Sequence, residues 1–110
     1  MPSEVVIAVY RPHPGKSAQL EAILGRHVST LRSLGLVTAR PVTLLKSADG
    51  SYLEIFEWVS NEAAQAAHDA PAIAALWEEM GAIADFPPLA DLSESKRRFA
   101  HFAPVDGIVT

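Results

Sequence analysis

Leu20, Ile23, Leu24, His27, Val28, Leu31 and Leu34 recur at spacings of three and four. That period puts all of them on one face of a helix. The pattern predicts a helix from near Ser17 to Gly35, with Gly35 in the left-handed position that closes many helices and Leu36 making the contact that accompanies it. A helix with a single apolar face must lie on another apolar layer. His27 interrupts this aliphatic stripe at a position where a leucine would bring no polar group to satisfy.

Strand-like segments supply the second layer. "EVVIAVYR" (Glu4–Arg11) is rich in β-branched residues and stops at Pro12, and "PHPGK" then reads as a turn. "RPVTLLK" (Arg40–Lys46) and "SYLEIFEWVS" (Ser51–Ser60) flank "SADG", which predicts a hairpin with Asp49-Gly50 in its turn. Pro41 cannot donate to a ladder, so the second strand is expected at a sheet edge. Ser60 is placed to cap a short helix over Asn61–His68, and Pro71 suits the first turn of a second segment. That segment carries Ile73, Leu76, Trp77, Met80, Ile83 and Ala84 on one face. "DFPPLADLSES" reads as a loop, "KRRFAHFAPV" (Lys96–Val105) as the last strand, and "DGIVT" as a loose tail.

The order is β-α-β-β-α-β with a split second helix. It predicts an α+β, ferredoxin-like domain with a four-stranded antiparallel sheet, strands two and four at its edges. One domain is expected over residues 1–110, with its core at about 4–105, and no repeat or linker interrupts it. Val5, Ile7 and Val9 point to one side of strand one, and Val6, Ala8 and Tyr10 to the other. Strand three repeats the situation, with Leu53, Ile55 and Val59 opposite Tyr52, Phe56 and Trp58. Helices cover one face only, so the other predicts a second copy of the chain, as a homodimer.

Several function classes are excluded or disfavoured. The chain has no cysteine, which removes thiol nucleophiles, disulfides and cysteine-ligated metals. Its net charge of −4 argues against nucleic acid as a partner, and Lys96-Arg97-Arg98 is too short a cluster to reverse that. No apolar run approaches the ~18 residues of a membrane span. The first ten residues lack a basic n-region, so a cytoplasmic location is expected and no membrane partner. No metal-binding spacing and no glycine-framed serine occur, so neither a metal nor another cofactor is expected.

"YRPHPGK" after strand one, "FEWVSNEA" leaving strand three and "AAHDAPAIAALW" across the helix break carry a resemblance. Over roughly Val5 to Val105 the chain resembles the antibiotic-biosynthesis-monooxygenase-like superfamily of dimeric α/β-barrel proteins. The resemblance implies a dimeric barrel and a ligand pocket between sheet and helices. It also implies activities that include cofactor-independent oxygenation. Haem-degrading members carry an asparagine in strand one, then a tryptophan and a histidine in the second helical region. Here "IAVYR" has no asparagine and the order is His68, then Trp77, which points away from haem degradation.

The candidate catalytic residues are His27 and His68, since imidazole exchanges protons near neutrality. Each also has a structural reading: His27 as a satisfied core histidine, His68 as a helix C-terminal histidine favouring the dipole. The candidate substrate-binding residues are Tyr10, Arg11, Phe56, Glu57, Trp58 and Trp77, with Trp77 equally at core spacing. Arg11 or Arg40 would hold an anionic group at the pocket mouth. Glu57 and Glu54 sit on opposite faces of strand three, and a Glu57–His27 pair would form an acid/base unit or, equally, a satisfied structural pair. His101 reads as structural or at the dimer contact, and His13 as exposed. The expected function is binding of a small aromatic or polyketide-like compound, with cofactor-independent monooxygenation as its chemistry. The alternative is a non-catalytic dimeric module that binds a small apolar molecule or serves a structural role.

Overall fold

The structure is a computed structural model that describes residues 2–108. Val109 and Thr110 of the expected tail lie outside the described residues. β1 (Glu4–Pro12) lies between β3 (Tyr52–Trp58) and β4 (Ala84–Asp85), and β2 (Thr43–Lys46) lies between β3 and β5 (Ala103–Pro104). The sheet order is β4-β1-β3-β2-β5, and every pairing is antiparallel. Three helices accompany it: α1 (Ser17–Ser33), α2 (Asn61–His68) and α3 (Pro71–Ile83). The α+β class and antiparallel sheet agree with the sequence pattern, but the sheet has five strands where four were expected.

The β1–β3 ladder runs from Glu4 opposite Trp58 to Tyr10 opposite Tyr52. Pleating sends Val6, Ala8 and Tyr10, with Tyr52, Glu54, Phe56 and Trp58, toward the helices. The aromatic face of β3 therefore meets α1, whose Leu20, Ile23, Leu24, His27, Val28 and Leu31 are all buried. Leu34 is the exception at 47% exposure, because it is the C-cap rather than part of the helix. The helix closes as predicted. Gly35 has φ +74°, its N–H donates to Arg32 O, and the Leu36 N–H donates to Leu31 O, which satisfies two terminal carbonyls at once. The Tyr52 hydroxyl donates to Glu21 of α1, and burial, reinforced by that carboxylate, pushes the phenol up to about 12.

β2 is shorter than expected because the chain beside β3 is interrupted. Val37 forms an isolated bridge with Trp58, and Thr38 N donates to Glu57 O. Arg40 N then turns to the Thr38 hydroxyl, and Pro41 has no N–H to offer. Pairing resumes at Thr43. The hairpin turn falls at Ser47–Gly50, with Gly50 at φ +92°. Ser60 caps α2, accepting from Ala63 N at 3.1 Å, and Pro71 opens α3.

The C-terminal segment differs most from expectation. The edge beside β1 is taken by the two residues of β4, directly after α3, and not by residues 96–105. Pro87 and Pro88 follow at once and cannot continue a ladder. Two 3-10 turns, Leu89–Asp91 and Ser93–Lys96, carry the chain over the face away from the helices. There Leu92 is fully buried against Val9 and Leu53. Glu94 anchors the crossing, accepting from Ser47 Oγ at 3.0 Å and Ala48 N at 2.9 Å. The backbone donor, chiefly, holds its carboxyl below the usual range. The chain reaches the far edge as β5, paired with Leu45 and Lys46. β2 is thus internal, and Phe99, expected within a strand, is 75% exposed.

The crossing covers one end of the non-helical face. At the other end Val5 and Ile7 remain 55% and 45% exposed. No helix among the described residues is long and apolar enough to cross a membrane.

Candidate functional site

A chain of hydrogen bonds links β1, β3, α1 and α3 at the centre of the molecule. Glu54 of β3 is fully buried, and its Oε1 accepts from the Tyr10 hydroxyl at 2.8 Å. The same oxygen lies 2.8 Å from His27 Nδ1, and His27 is only 2% exposed. On the far side of the imidazole, Trp77 Nε1 donates to His27 Nε2 at 2.9 Å.

These partners fix the tautomer. The indole N–H can only donate, so Nε2 bears the lone pair. The proton is therefore on Nδ1, and the Nδ1–H donates to Glu54. Burial, then the charge and hydrogen bond of Glu54, push the Tyr10 phenol well above its ordinary range, so Tyr10 remains a neutral donor. Glu54 Oε2 has no hydrogen-bond partner among the described residues.

His27 borders a cavity of about 390 Å³ between the sheet and α1 and α3. Tyr10, Phe56, Trp58, Trp77 and Met80 form its walls, and Phe86 to Leu89 close it from the C-terminal segment. Aromatic rings are set edge to face around it. Phe56 lies 5.9 Å from His27 and 5.2 Å from Trp58, and Phe86 lies 5.7 Å from Tyr10. Offset and edge contacts of this kind are the favoured arrangement for aromatic rings. The volume and apolar character suit a compact aromatic molecule.

The residues singled out from the sequence divide into two groups. Tyr10, His27, Phe56, Trp58 and Trp77 converge on the cavity. His68, Arg11, Glu57 and Arg40 do not line it. His68 is exposed at the end of α2 and packs edge-on against the outer side of Trp77, with centroids 4.9 Å apart. Arg11 turns to the hairpin, bonding Ser51 and Asp49, both at 3.2 Å.

Glu57 lies on the opposite face of β3. It accepts from Thr38 Oγ1 at 2.7 Å, Arg40 Nε at 3.1 Å and Ser3 Oγ at 2.9 Å. Those donors, Thr38 foremost, hold its carboxyl below the usual range. The partner of His27 is thus Glu54 and not Glu57, because the pleat turns Glu57 away from α1. His13 pairs with Asp85 at 3.2 Å on the surface, and His101 is exposed. Met80 and the Phe86–Leu89 wall were missed. Met80 read as ordinary core spacing, and the wall depends on where the two prolines send the chain.

Comparison with protein-family models, with curated proteins and with solved structures finds no match to this chain in any of the three. Among the described residues no group of three histidine or carboxylate side chains could hold a metal ion.

Proposed function

We propose that the chain binds a small aromatic or polyketide-like compound in the cavity beside His27 and removes a proton from its acidic phenol or enol. The observation that carries this reading is the Glu54–His27 pair. A carboxylate on Nδ1–H orients the ring, leaves Nε2 as the basic atom, and stabilises the imidazolium that forms when a proton is taken. The apolar, aromatic walls keep water from the resulting anion.

The cofactor-independent monooxygenation implied by the sequence resemblance follows from that anion. It reacts with dioxygen; one oxygen atom becomes the product carbonyl, and the other leaves as water with the two hydrogens lost by the substrate. Non-catalytic binding is the second reading. It is favoured by Trp77, whose N–H already occupies the Nε2 lone pair.

A thermal-shift screen of phenols, quinones and haem, followed by oxygen-uptake assays of each hit, separates the two. His27→Gln keeps a donor for Glu54 and an acceptor for Trp77 but removes the base. Hits should still bind this variant, with oxygen uptake lowered by roughly 10²–10⁴-fold, the usual contribution of a general base. Binding without uptake in the wild type would leave the non-catalytic reading, and no hits at all would end both.

We also propose that two copies associate through the strip of Val5 and Ile7, giving the dimeric barrel of the resemblance. The strip lies on a central strand, and the chain's own crossing covers only the other end of that face. A second identical strip covers it most economically under two-fold symmetry. Light scattering should give about twice the 11.8 kDa chain mass; a monomer at micromolar concentration would refute the association.

A further inference from the structure

The polar side chains bordering the cavity are Tyr10, His27 and the two indoles, Trp58 and Trp77. The Tyr10 O–H donates to Glu54, and so does His27 Nδ1–H. The one basic lone pair left at the cavity is His27 Nε2, and Trp77 holds it. No lysine or arginine borders the cavity, so an anionic ligand would leave water with no cation to offset its charge. Trp77 itself is half-buried. On its other side its ring packs against the exposed His68, with centroids 4.9 Å apart.

We propose that Trp77 is an exchangeable plug on His27. The ligand that fits is a neutral aromatic molecule whose own O–H or N–H takes the indole's place at Nε2. Trp77 is then a specificity-determining residue: it sets what a ligand must bring in order to engage the base. The proposal rests on the reading of the cavity as a ligand site.

Displacing the plug exchanges one hydrogen bond for another, so the wild type should bind a hydroxyl ligand and its ether with similar affinity. Removing the plug should favour the hydroxyl alone, because only the hydroxyl gains a bond. Three probes share one skeleton: 2-naphthol, 2-methoxynaphthalene and 2-naphthoate. Titration calorimetry on wild type and Trp77→Phe should show naphthol tightening relative to its ether in the variant, by the worth of one neutral hydrogen bond. The ether loses the same wall contact without gaining a bond, so the naphthol-to-ether affinity ratio is the quantity that should rise about fivefold, and naphthoate should bind at least about tenfold more weakly than naphthol, as expected for a carboxylate taken out of water unpaired.

Indole N–H signals of the wild-type protein give a second measurement that needs no variant, with the ether as the control for ring-current shifts. Naphthol should move the Trp77 signal toward that of a water-bonded indole, and the ether should shift it only by the ring current that it shares with naphthol. Naphthol binding with the Trp77 signal moved no further than the ether moves it would overturn the proposal. So would a variant that changes naphthol and ether alike, or naphthoate binding as tightly as naphthol. Failure of all three probes to bind would instead defeat the cavity as a ligand site, and the plug with it.

Discussion

Replacing His27 by leucine is expected to destabilise the protein by about 3 kcal/mol, the upper part of the range for stripping a donor from a buried acceptor, here a charged one. Glu54 is fully buried, and one of its two oxygens already lacks a partner. Without His27 the carboxylate keeps only the Tyr10 hydroxyl, at 2.8 Å. The aliphatic stripe of α1 suggests the reverse, since a leucine fits that stripe, but the neighbour across the interface decides the sign. The double variant His27→Leu/Glu54→Leu should therefore recover much of the loss, because two apolar groups leave no unpaired charge. Urea unfolding of the wild type, both single variants and the double variant closes the cycle. Additive losses would mean that His27 and Glu54 do not depend on each other.

Leu92→Ala should cost about 2–5 kcal/mol, the range for deleting a buried leucine side chain. For a chain of this size that corresponds to a fall in Tm of very roughly 10–25 °C. Leu92 is the one fully buried residue of the crossing segment, and it fills the space over Val9 and Leu53. Both neighbours sit on central strands, which leaves little freedom for the space to collapse. The flanking segment also carries Phe86 to Leu89, the outer wall of the cavity. Differential scanning calorimetry reads the effect directly. A loss under about 0.5 kcal/mol, the range of a surface substitution, would show that the crossing does not hold the sheet.

The helices were legible because their signals are local. The three-and-four spacing, Gly35, the Ser60 cap and Pro71 act within one or two turns, and α2 spans the expected Asn61–His68. The last strand was not legible. "KRRFAHFAPV" has the composition of a strand, but Pro87 and Pro88 end pairing beside β1 and send the chain across the other face. Only Ala103 and Pro104 then form a ladder, and Val105 N donates to Leu44 O beside it.

The site shows the same division. The aromatic residues and His27 were marked by their types within apolar patterns. The identity of the carboxylate was not, because both faces of β3 are apolar and each carries one glutamate. Tyr52, Phe56 and Trp58 share a face with Glu54, and that concentration of aromatic bulk was the one available hint that this face meets the helices. His68 is the last residue of α2, directly before the α2–α3 break, and the break turns it outward, behind Trp77 rather than beside His27.

The proposed chemistry of the cavity turns on which nitrogen of His27 carries the proton. Nitrogen-15 NMR of the imidazole, at neutral pH and without ligand, reads this directly. The hydrogen bonds to Glu54 and Trp77 require a protonated, pyrrole-type Nδ1 and an unprotonated, pyridine-type Nε2, with a coupling from the Trp77 indole proton to Nε2. A proton on Nε2, in either the other tautomer or an imidazolium, would contradict the account, since it would oppose the Trp77 N–H and leave no basic atom at the cavity.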